Sequence, residues 1–387
     1  MSTSKLFLCL FFQFTFLVFV FNPANAQGLK VGFYAKSCPK AEAVVKDVIH
    51  QVMSVAPSLG GPLLRMHFHD CFVRGCDGSL LLDSPTKQAE KDAIPNQTLR
   101  GYQIIDRVKT AVEKACPGVV SCADIVALVA RDVVVELRGL SWDVETGRRD
   151  GRISNATETV GNLIGPTANI STLVNGWARK GLSVKDLVVL SGGHTIGTSH
   201  CSSFNERLYN FTGKGNADPR LDSEYMEKLK LKCKPGDQKT LVEMDPGSFK
   251  TFDESYYTLV SKRRGLFQSD AALLENKETR DYILSQAGKS FGSFFKDFGV
   301  SMVNMGRIEV LTGKSVVELR HHTVPHHLHR HHVVLLHEIS CLDCIYRLQL
   351  NRSGSKKDLK EKQLILMSSL TLEGDAHIKS LIYVSRR

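Results

Sequence analysis

Apolar residues recur at helical spacing along most of this 387-residue chain, and the period-two alternation of exposed β-strands is nearly absent. In the segment 41–53, valine and isoleucine occupy positions 44, 45, 48, 49 and 52. Such spacing gathers apolar side chains on one face of a helix. The chain is therefore predicted to be mainly α-helical. Helices are expected at 41–53, 101–115, 122–137, 170–180, 224–231, 252–263 and 288–305, with long loops at 71–99, 138–168 and 234–250.

Size and charge restrict the class of protein further. With 42% hydrophobic residues, the chain can bury one large core or two lobes. The net charge is +10, but no arginine-rich block or basic aromatic stripe accompanies it, so nucleic-acid binding is not expected. A mildly basic domain suits adhesion to an acidic matrix.

The N-terminus has the features of a secretory signal peptide. Lys5 precedes an apolar run over 6–21, and Ala24-Asn25-Ala26 is an A-x-A cleavage site. We expect residues 1–26 to be removed and the mature chain to enter an oxidising compartment. A signal anchor is the alternative, but the run is short, and no other segment predicts a membrane span. Five sequons predict a glycoprotein: Asn96, Asn155, Asn169, Asn210 and Asn351.

Nine cysteines remain once Cys9 leaves with the signal peptide, and seven of them lie within 27–314. At least one therefore lacks a partner in that stretch. Composition changes after Gly313: residues 321–337 hold eight of the 14 histidines, and a lysine-rich stretch follows. We interpret 315–387 as an atypical tail, either disordered or an altered or mispredicted C-terminal exon. A sorting extension and a metal site built with Cys341 and Cys344 are the alternatives.

Two segments carry residues suited to chemistry. In Arg65-Met66-His67-Phe68-His69-Asp70, Arg65 and His69 lie one helical turn apart on one face. A fixed cation beside an imidazole can handle a small polar oxidant, although an amphipathic salt network is the simpler explanation of the pair. In Ser191-Gly192-Gly193-His194-Thr195, one histidine ends an apolar run that begins with a capping-box pattern at 183–186, and it could bind an iron cofactor.

These segments and their order along the chain resemble the motifs of secreted plant-type (class III) haem peroxidases, over about 27–314. The resemblance implies a mainly α, two-lobed fold with haem b between a distal and a proximal helix. It also implies a monomeric extracellular or cell-wall enzyme connected with the response to oxidative stress, or a vacuolar one if the tail is a sorting signal. Its partners would be hydrogen peroxide and small phenolic donors, which are oxidised by one-electron steps.

On the distal side, the resemblance makes His69 the acid–base residue, and Arg65 the cation that assists O–O cleavage. Phe68 would wall the site, and His67 should face elsewhere. Asn96 would hydrogen-bond the distal histidine, although its sequon allows a glycan instead. On the proximal side, His194 would be the axial iron ligand, and Asp270 would accept its other ring N–H.

The resemblance also implies two calcium ions, which need several hard oxygen ligands around a loop. The first site would use Asp70, Val73, Gly75, Asp77 and Ser79, with Glu90 contributing through water. The second would use Thr195, Asp245, Ser248, Thr251 and Asp253. Because Thr195 follows His194, metal loss there should disturb the haem ligand.

Three disulfides are implied by the family pattern: Cys38–Cys116, Cys71–Cys76 and Cys201–Cys233. The family's fourth bridge would join Cys122 to a cysteine near the C-terminus, where this chain has Thr323, so Cys122 is expected to be unpaired unless Cys341 or Cys344 substitutes. Asp124 and Arg148 match a pair of residues in this family that is expected to tie a helix to a loop.

The chain departs from the family pattern at three further places. Ile164 replaces a usual proline whose carbonyl helps bind aromatic donors. Ser203 stands where some members have a phenylalanine at the haem edge. Gly60 and Gly61 add flexibility before the distal helix.

Three other functions remain as alternatives. A catalytically impaired secreted haem- or calcium-binding glycoprotein would fit the missing cysteine and the tail. An intracellular ascorbate-using peroxidase conflicts with the leader and the cysteines. A zinc protein built on His67 and His69 is disfavoured, because residues two apart on a helix face different ways.

Overall fold

The computed structural model describes residues 28–289 and 292–313, and this part of the chain is mainly helical, as predicted. The α-helices are α1 Ala41–Val55, α2 Gly60–Phe72, α3 Tyr102–Ala115, α4 Cys122–Glu136, α5 Ile170–Arg179, α6 Val184–Ser191, α7 Asn205–Tyr209, α8 Ser223–Lys232, α9 Ser255–Ser261, α10 Gln268–Ala272, α11 Lys277–Gln286 and α12 Phe294–Met305. None of these described helices is long and apolar enough to cross a membrane. The leader 1–26, Thr323, Asn351 and the rest of the tail 315–387 lie outside the described residues.

Two short antiparallel ribbons supplement the helices. Strand β1 (Lys30–Val31) pairs with β2 (Glu145–Thr146), with Lys30 opposite Thr146. Strand β3 (Thr198–His200) pairs with β4 (Leu241–Glu243), with Ser199 opposite Val242. The second ribbon follows His194 closely and ties the segment after it to the loop before α9.

Helix α4 is the centre of the larger apolar core. Every residue from 122 to 134 is buried, and the helix packs against α1, α2 and α3. Its N-terminus is capped twice, since Ser121 Oγ accepts from Asp124 N and the Asp150 carboxylate accepts from the first two helical N–H groups. Asp124 also accepts from Arg148 Nη1 at 2.8 Å, so the structural pair expected from the sequence is present.

A second, smaller apolar cluster forms around the Cys201–Cys233 bridge and includes residues of α7, α8 and β4. The bridges Cys38–Cys116 and Cys71–Cys76 are also present. Cys122 is buried, and no other described cysteine is available to it. The three predicted bridges and the unpaired Cys122 are therefore all seen in the described part of the chain.

Helix ends differ from the sequence expectations where side chains or tertiary contacts intervene. The helix expected from 252 begins at Ser255, because Asp253 Oδ1 accepts the Ser255 N–H and the Phe252 N–H donates to Leu137 O. The helix expected over 288–305 begins at Phe294. Gly181 does act as a C-cap, with φ of 73°.

Gly60 and Gly61 lie inside the first turn of α2, and they serve close packing rather than the flexibility expected from the sequence. A Cβ on Gly60 would come within 2.4 Å of Leu137 Cδ1. One on Gly61 would come within 2.8 Å of the backbone of Gly197. The start of α2 can therefore pack against Leu137 and against the segment that follows His194 only because side chains are absent there.

Candidate active site

His69 is held on α2 by a hydrogen bond that fixes its tautomer. The ring is buried, and its Nδ1 lies 2.5 Å from Asn96 Oδ1. The amide nitrogen of Asn96 donates to Glu90 O at 2.7 Å, so Oδ1 is the acceptor and His69 Nδ1 carries the hydrogen. The lone pair of the neutral ring is then on Nε2. Asn96 is itself buried and uses both amide atoms, which leaves no room for a glycan at its sequon.

The surroundings of His69 keep it neutral. Burial and the charge of Arg65 lower the pKa of His69 well below its usual value, and the bond to Asn96 opposes them only in part. A neutral imidazole can accept a proton at ordinary pH.

Arg65 is held by the same loop that holds His69. Its guanidinium donates to Thr98 Oγ1 at 2.9 Å and to Pro95 O at 3.1 Å. The segment 95–98 therefore positions both side chains of α2. These two contacts could not be predicted from the sequence, because they depend on how the loop folds back over the helix.

Phe68 and His67 are adjacent on α2, but their side chains contact different neighbours. Phe68 lies in an aromatic group, with its ring 6.0 Å from that of Trp177 and 4.4 Å from that of Phe72. His67 is buried, with its Nδ1 3.5 Å from Cys71 Sγ, and burial lowers the pKa of His67 to about 3. His67, Asp70 and Cys71 are close enough to share a metal ion, but Cys71 is in a disulfide and offers no thiolate.

His194 is held at its Nδ1 by a buried carboxylate. It lies in the 3-10 turn Gly192–Thr195 after α6, and its Nδ1 is 2.8 Å from Asp270 Oδ1. Asp270 also accepts from Tyr256 OH at 3.0 Å and from the Phe267 N–H at 2.8 Å. Burial alone would raise the pKa of Asp270, but His194 and these donors hold it below its usual value.

His194 and its hydrogen-bond partner fit the role of an iron ligand. The side chain of His194 is 38% exposed, whereas that of Asp270 is 2% exposed. With Nδ1 bound to Asp270, the nitrogen left to bind a metal is Nε2. A neutral imidazole whose second N–H reaches a carboxylate is the arrangement typical of metal-binding histidines. The residues present therefore suit a haem iron.

Four of the residues predicted for the first calcium site are buried together, and three of them are acidic: Asp70, Asp77, Ser79 and Glu90. Ser79 Oγ donates to Glu90 Oε1, and the Gly78 N–H donates to Asp70 Oδ2. Asp70 Oδ1 and Glu90 Oε2 are buried and meet no hydrogen-bond donor among the described residues. Burial and the neighbouring carboxylates, including Asp77, raise the pKa of Asp70, and burial raises that of Glu90 to about 8. Such unpaired oxygens suit a hard cation.

The residues predicted for the second calcium site also come together. Thr195 Oγ1 lies 3.0 Å from Asp253 Oδ1 and 3.4 Å from Asp245 Oδ2. Ser248 Oγ donates to Asp253 Oδ2, and the Thr251 N–H donates to Ser248 O. Burial and the charge of Asp253 raise the pKa of Asp245 to about 7. This cluster also fits a hard cation, and it begins one residue after His194.

Ile164 lies in the turn before α5, and its side chain covers Gly176 of that helix. A Cβ on Gly176 would come within 1.9 Å of Ile164 Cδ1. The isoleucine thus anchors the turn by a side-chain contact where a proline would restrict the backbone. Ser203 is half-buried in the 3-10 turn Cys201–Ser203.

Comparison with known proteins gives a consistent result. A sequence model of the family described as Peroxidase matches residues 43–289. The chain is 64% identical to Peroxidase 27 of Arabidopsis thaliana over 300 residues, which cover 78% of this chain and 93% of that protein. It is 63% identical to Peroxidase 56 of Arabidopsis thaliana, over 76% of this chain and 89% of that protein. It is 60% identical to Peroxidase 1 of Oryza sativa subsp. japonica, over 75% of this chain and 90% of that protein.

Proposed function

This chain belongs to the plant-type (class III) peroxidase family and is a haem peroxidase, and on that premise we propose how its own residues carry out the reaction. The observation that carries the proposal is a shared arrangement of two histidines. His69 and His194 each have Nδ1 bound to a buried acceptor, which leaves Nε2 of each ring for chemistry.

His194 would bind the haem iron through Nε2, and Asp270 would hold the ring in position. The haem supplies the redox chemistry, in which hydrogen peroxide takes up two electrons that two donor molecules later return one at a time. Electron density passed from Asp270 through the imidazole favours the higher oxidation states of the metal.

His69 would act as the proton carrier on the distal side. Because its pKa is depressed, Nε2 is free to accept the proton of hydrogen peroxide at neutral pH. The same nitrogen then returns that proton to the departing oxygen, so that water leaves. Asn96 keeps the hydrogen on Nδ1 throughout, and Arg65 supplies positive charge near the breaking O–O bond.

We further propose haem b and two calcium ions as the cofactors, small phenols as donors, and a secreted monomer as the working form. The buried acidic oxygens at 70 and 90 support the first calcium ion, and the cluster around Thr195 supports the second. The backbone of Ile164 would contact the donor. The three disulfides suit an oxidising extracellular compartment.

The test combines haem absorption with turnover of guaiacol. We expect the wild type to show a Soret band and to oxidise guaiacol. His69→Ala should keep the Soret band and lose about 10²–10⁴-fold in its rate with peroxide, the typical contribution of a general acid–base residue. His67→Gln is the matched control, because His67 lies on the same helix and faces away from the site.

Two results would count against the proposal. Full turnover by His69→Ala would remove the role of that residue. A wild type that binds haem without turnover would favour the catalytically impaired glycoprotein.

A further inference from the structure

The hydroxyl of Tyr256 is linked to the proximal histidine through Asp270. The tyrosine is in α9, is 2% exposed, and donates its hydroxyl hydrogen to Asp270 Oδ1 at 3.0 Å. That oxygen is the same one that accepts from His194 Nδ1 at 2.8 Å. Two donors therefore share one carboxylate oxygen, while the other oxygen accepts the Phe267 N–H.

The two donors that share Asp270 Oδ1 affect each other, because water cannot replace a donor that this carboxylate loses. Asp270 is 1% exposed, and the aromatic rings of Tyr256 and Phe267 flank His194 edge-on at 5.9 and 5.2 Å. A buried carboxylate with fewer donors concentrates its charge on those that remain. Removing the Tyr256 hydroxyl would thus strengthen the bond from Asp270 to His194.

We propose that Tyr256 is a positioning residue that sets how strongly Asp270 polarises His194, and so tunes the reduction potential of the bound iron. This inference rests on the proposed role of His194 as the iron ligand. A stronger Asp270–His194 bond makes the imidazole a more electron-rich ligand, which favours the oxidised metal. By drawing charge away from His194, the Tyr256 hydroxyl raises the potential.

The neighbouring Tyr257 provides a matched control. It is also fully buried in α9, but its hydroxyl lies 3.2 and 3.3 Å from the backbone oxygens of Val188 and Val189, away from Asp270. Tyr256→Phe and Tyr257→Phe each remove one buried hydroxyl and keep the ring. Only the first removes a donor from Asp270.

The experiment measures the Fe(III)/Fe(II) potential of the haem-loaded protein by spectroelectrochemistry and the iron–histidine stretch by resonance Raman spectroscopy. Tyr256→Phe should lower the potential and raise the stretching frequency, whereas Tyr257→Phe should leave both close to the wild type. Introducing 3-fluorotyrosine at position 256 keeps the hydroxyl and makes it a stronger donor, so the potential should rise. This second variant tests the inference even if Tyr256→Phe fails to fold.

Equal effects of Tyr256→Phe and Tyr257→Phe, or shifts of the wrong sign, would overturn the role of Tyr256. A wild type without an iron–histidine stretch would instead overturn the proposed role of His194, so the two failures can be told apart.

Discussion

At the scale of single residues, His69 is under opposing influences. Burial and the charge of Arg65 lower the pKa of His69, and the hydrogen bond to Asn96 raises it. Since only the neutral ring accepts a proton, the rate of reaction with peroxide should fall on the acid side of the His69 pKa. In the wild type this fall is expected well below pH 6.5.

Removal of Arg65 and removal of Asn96 should shift this fall in rate in opposite directions along the pH axis. Arg65→Gln removes a charge that disfavours the imidazolium, so the pKa of His69 rises and the fall moves to higher pH. Asn96→Ala removes a bond that favours the imidazolium, so the fall moves to lower pH. Because Asn96 also orients the ring, its loss should reduce the plateau rate by about 10–100-fold. Stopped-flow rates with peroxide from pH 3 to 8 measure both effects, and shifts in the same direction would contradict them.

At the scale of the elements, the sequence predicts those helices that follow from the spacing of residues close together in the chain. Helices α1, α3 and α4 follow from apolar spacing because each buries one or more faces against the same core. The start of α9 could not be predicted this way, since it depends on the contact between Phe252 and Leu137 from distant parts of the chain.

The same limit applies to the candidate site. The spacing within α2 places Arg65 and His69 on one face, but the pairs His69–Asn96 and His194–Asp270 are separated by 27 and 76 residues. Periodicity carries no information about such pairs, and the family resemblance alone suggested them. The hydroxyl of Tyr256 had no signal in the sequence, because two adjacent tyrosines in one buried helix look alike until tertiary packing separates them.

The contact between Ile164 and helix α5 carries a prediction about donor binding. In Gly176→Ala the new methyl group must displace Ile164 Cδ1, which is the flexible end of its side chain. We therefore expect a stability loss of only about 1 kcal/mol. The displaced turn should change the KM for guaiacol, while the rate of reaction with peroxide stays close to that of the wild type.

A double variant tests whether that effect comes from Ile164. Ile164→Val removes the atom that collides with the new methyl group, so Ile164→Val/Gly176→Ala should restore the guaiacol KM toward that of Ile164→Val alone. Additive effects of the two substitutions would show that they do not act through this contact.

At the scale of the whole molecule, the unpaired Cys122 is the departure from the family pattern that bears on stability. The thiol is buried at the start of α4, and burial together with the charge of Asp150 raises its pKa well above the usual value. It should therefore resist iodoacetamide in the folded protein and react after unfolding. Cys122→Ala should lower the free energy of unfolding by less than about 2 kcal/mol, whereas loss of a native bridge typically costs about 2–5 kcal/mol. Peptide mapping that finds Cys122 bridged to Cys341 or Cys344 would contradict this prediction.

The acidic clusters connect global stability to pH through calcium. Without metal, the fold raises the pKa of Asp70, raises that of Glu90 to about 8 and raises that of Asp245 to about 7. A carboxyl group whose pKa is higher in the folded chain binds more protons there than in the unfolded chain, so stability falls as pH rises between the two pKa values. The metal-free protein should therefore lose stability from about pH 4 to pH 8. A bound cation removes this loss, because it compensates the ionised oxygens.

The melting temperature of the haem-loaded protein in calcium and in a chelator should thus differ little at pH 5 and by several degrees at pH 8. Glu90→Gln replaces one titrating carboxyl group by a neutral amide that keeps a side-chain oxygen, so the chelated variant should lose less stability between those two pH values than the chelated wild type. A gap that is constant with pH, or wider at pH 5, would mean that these buried carboxylates do not carry the metal's contribution. Because Glu90 O also accepts from Asn96, which holds His69, a widening gap should be accompanied by a slower reaction with peroxide in the chelated protein.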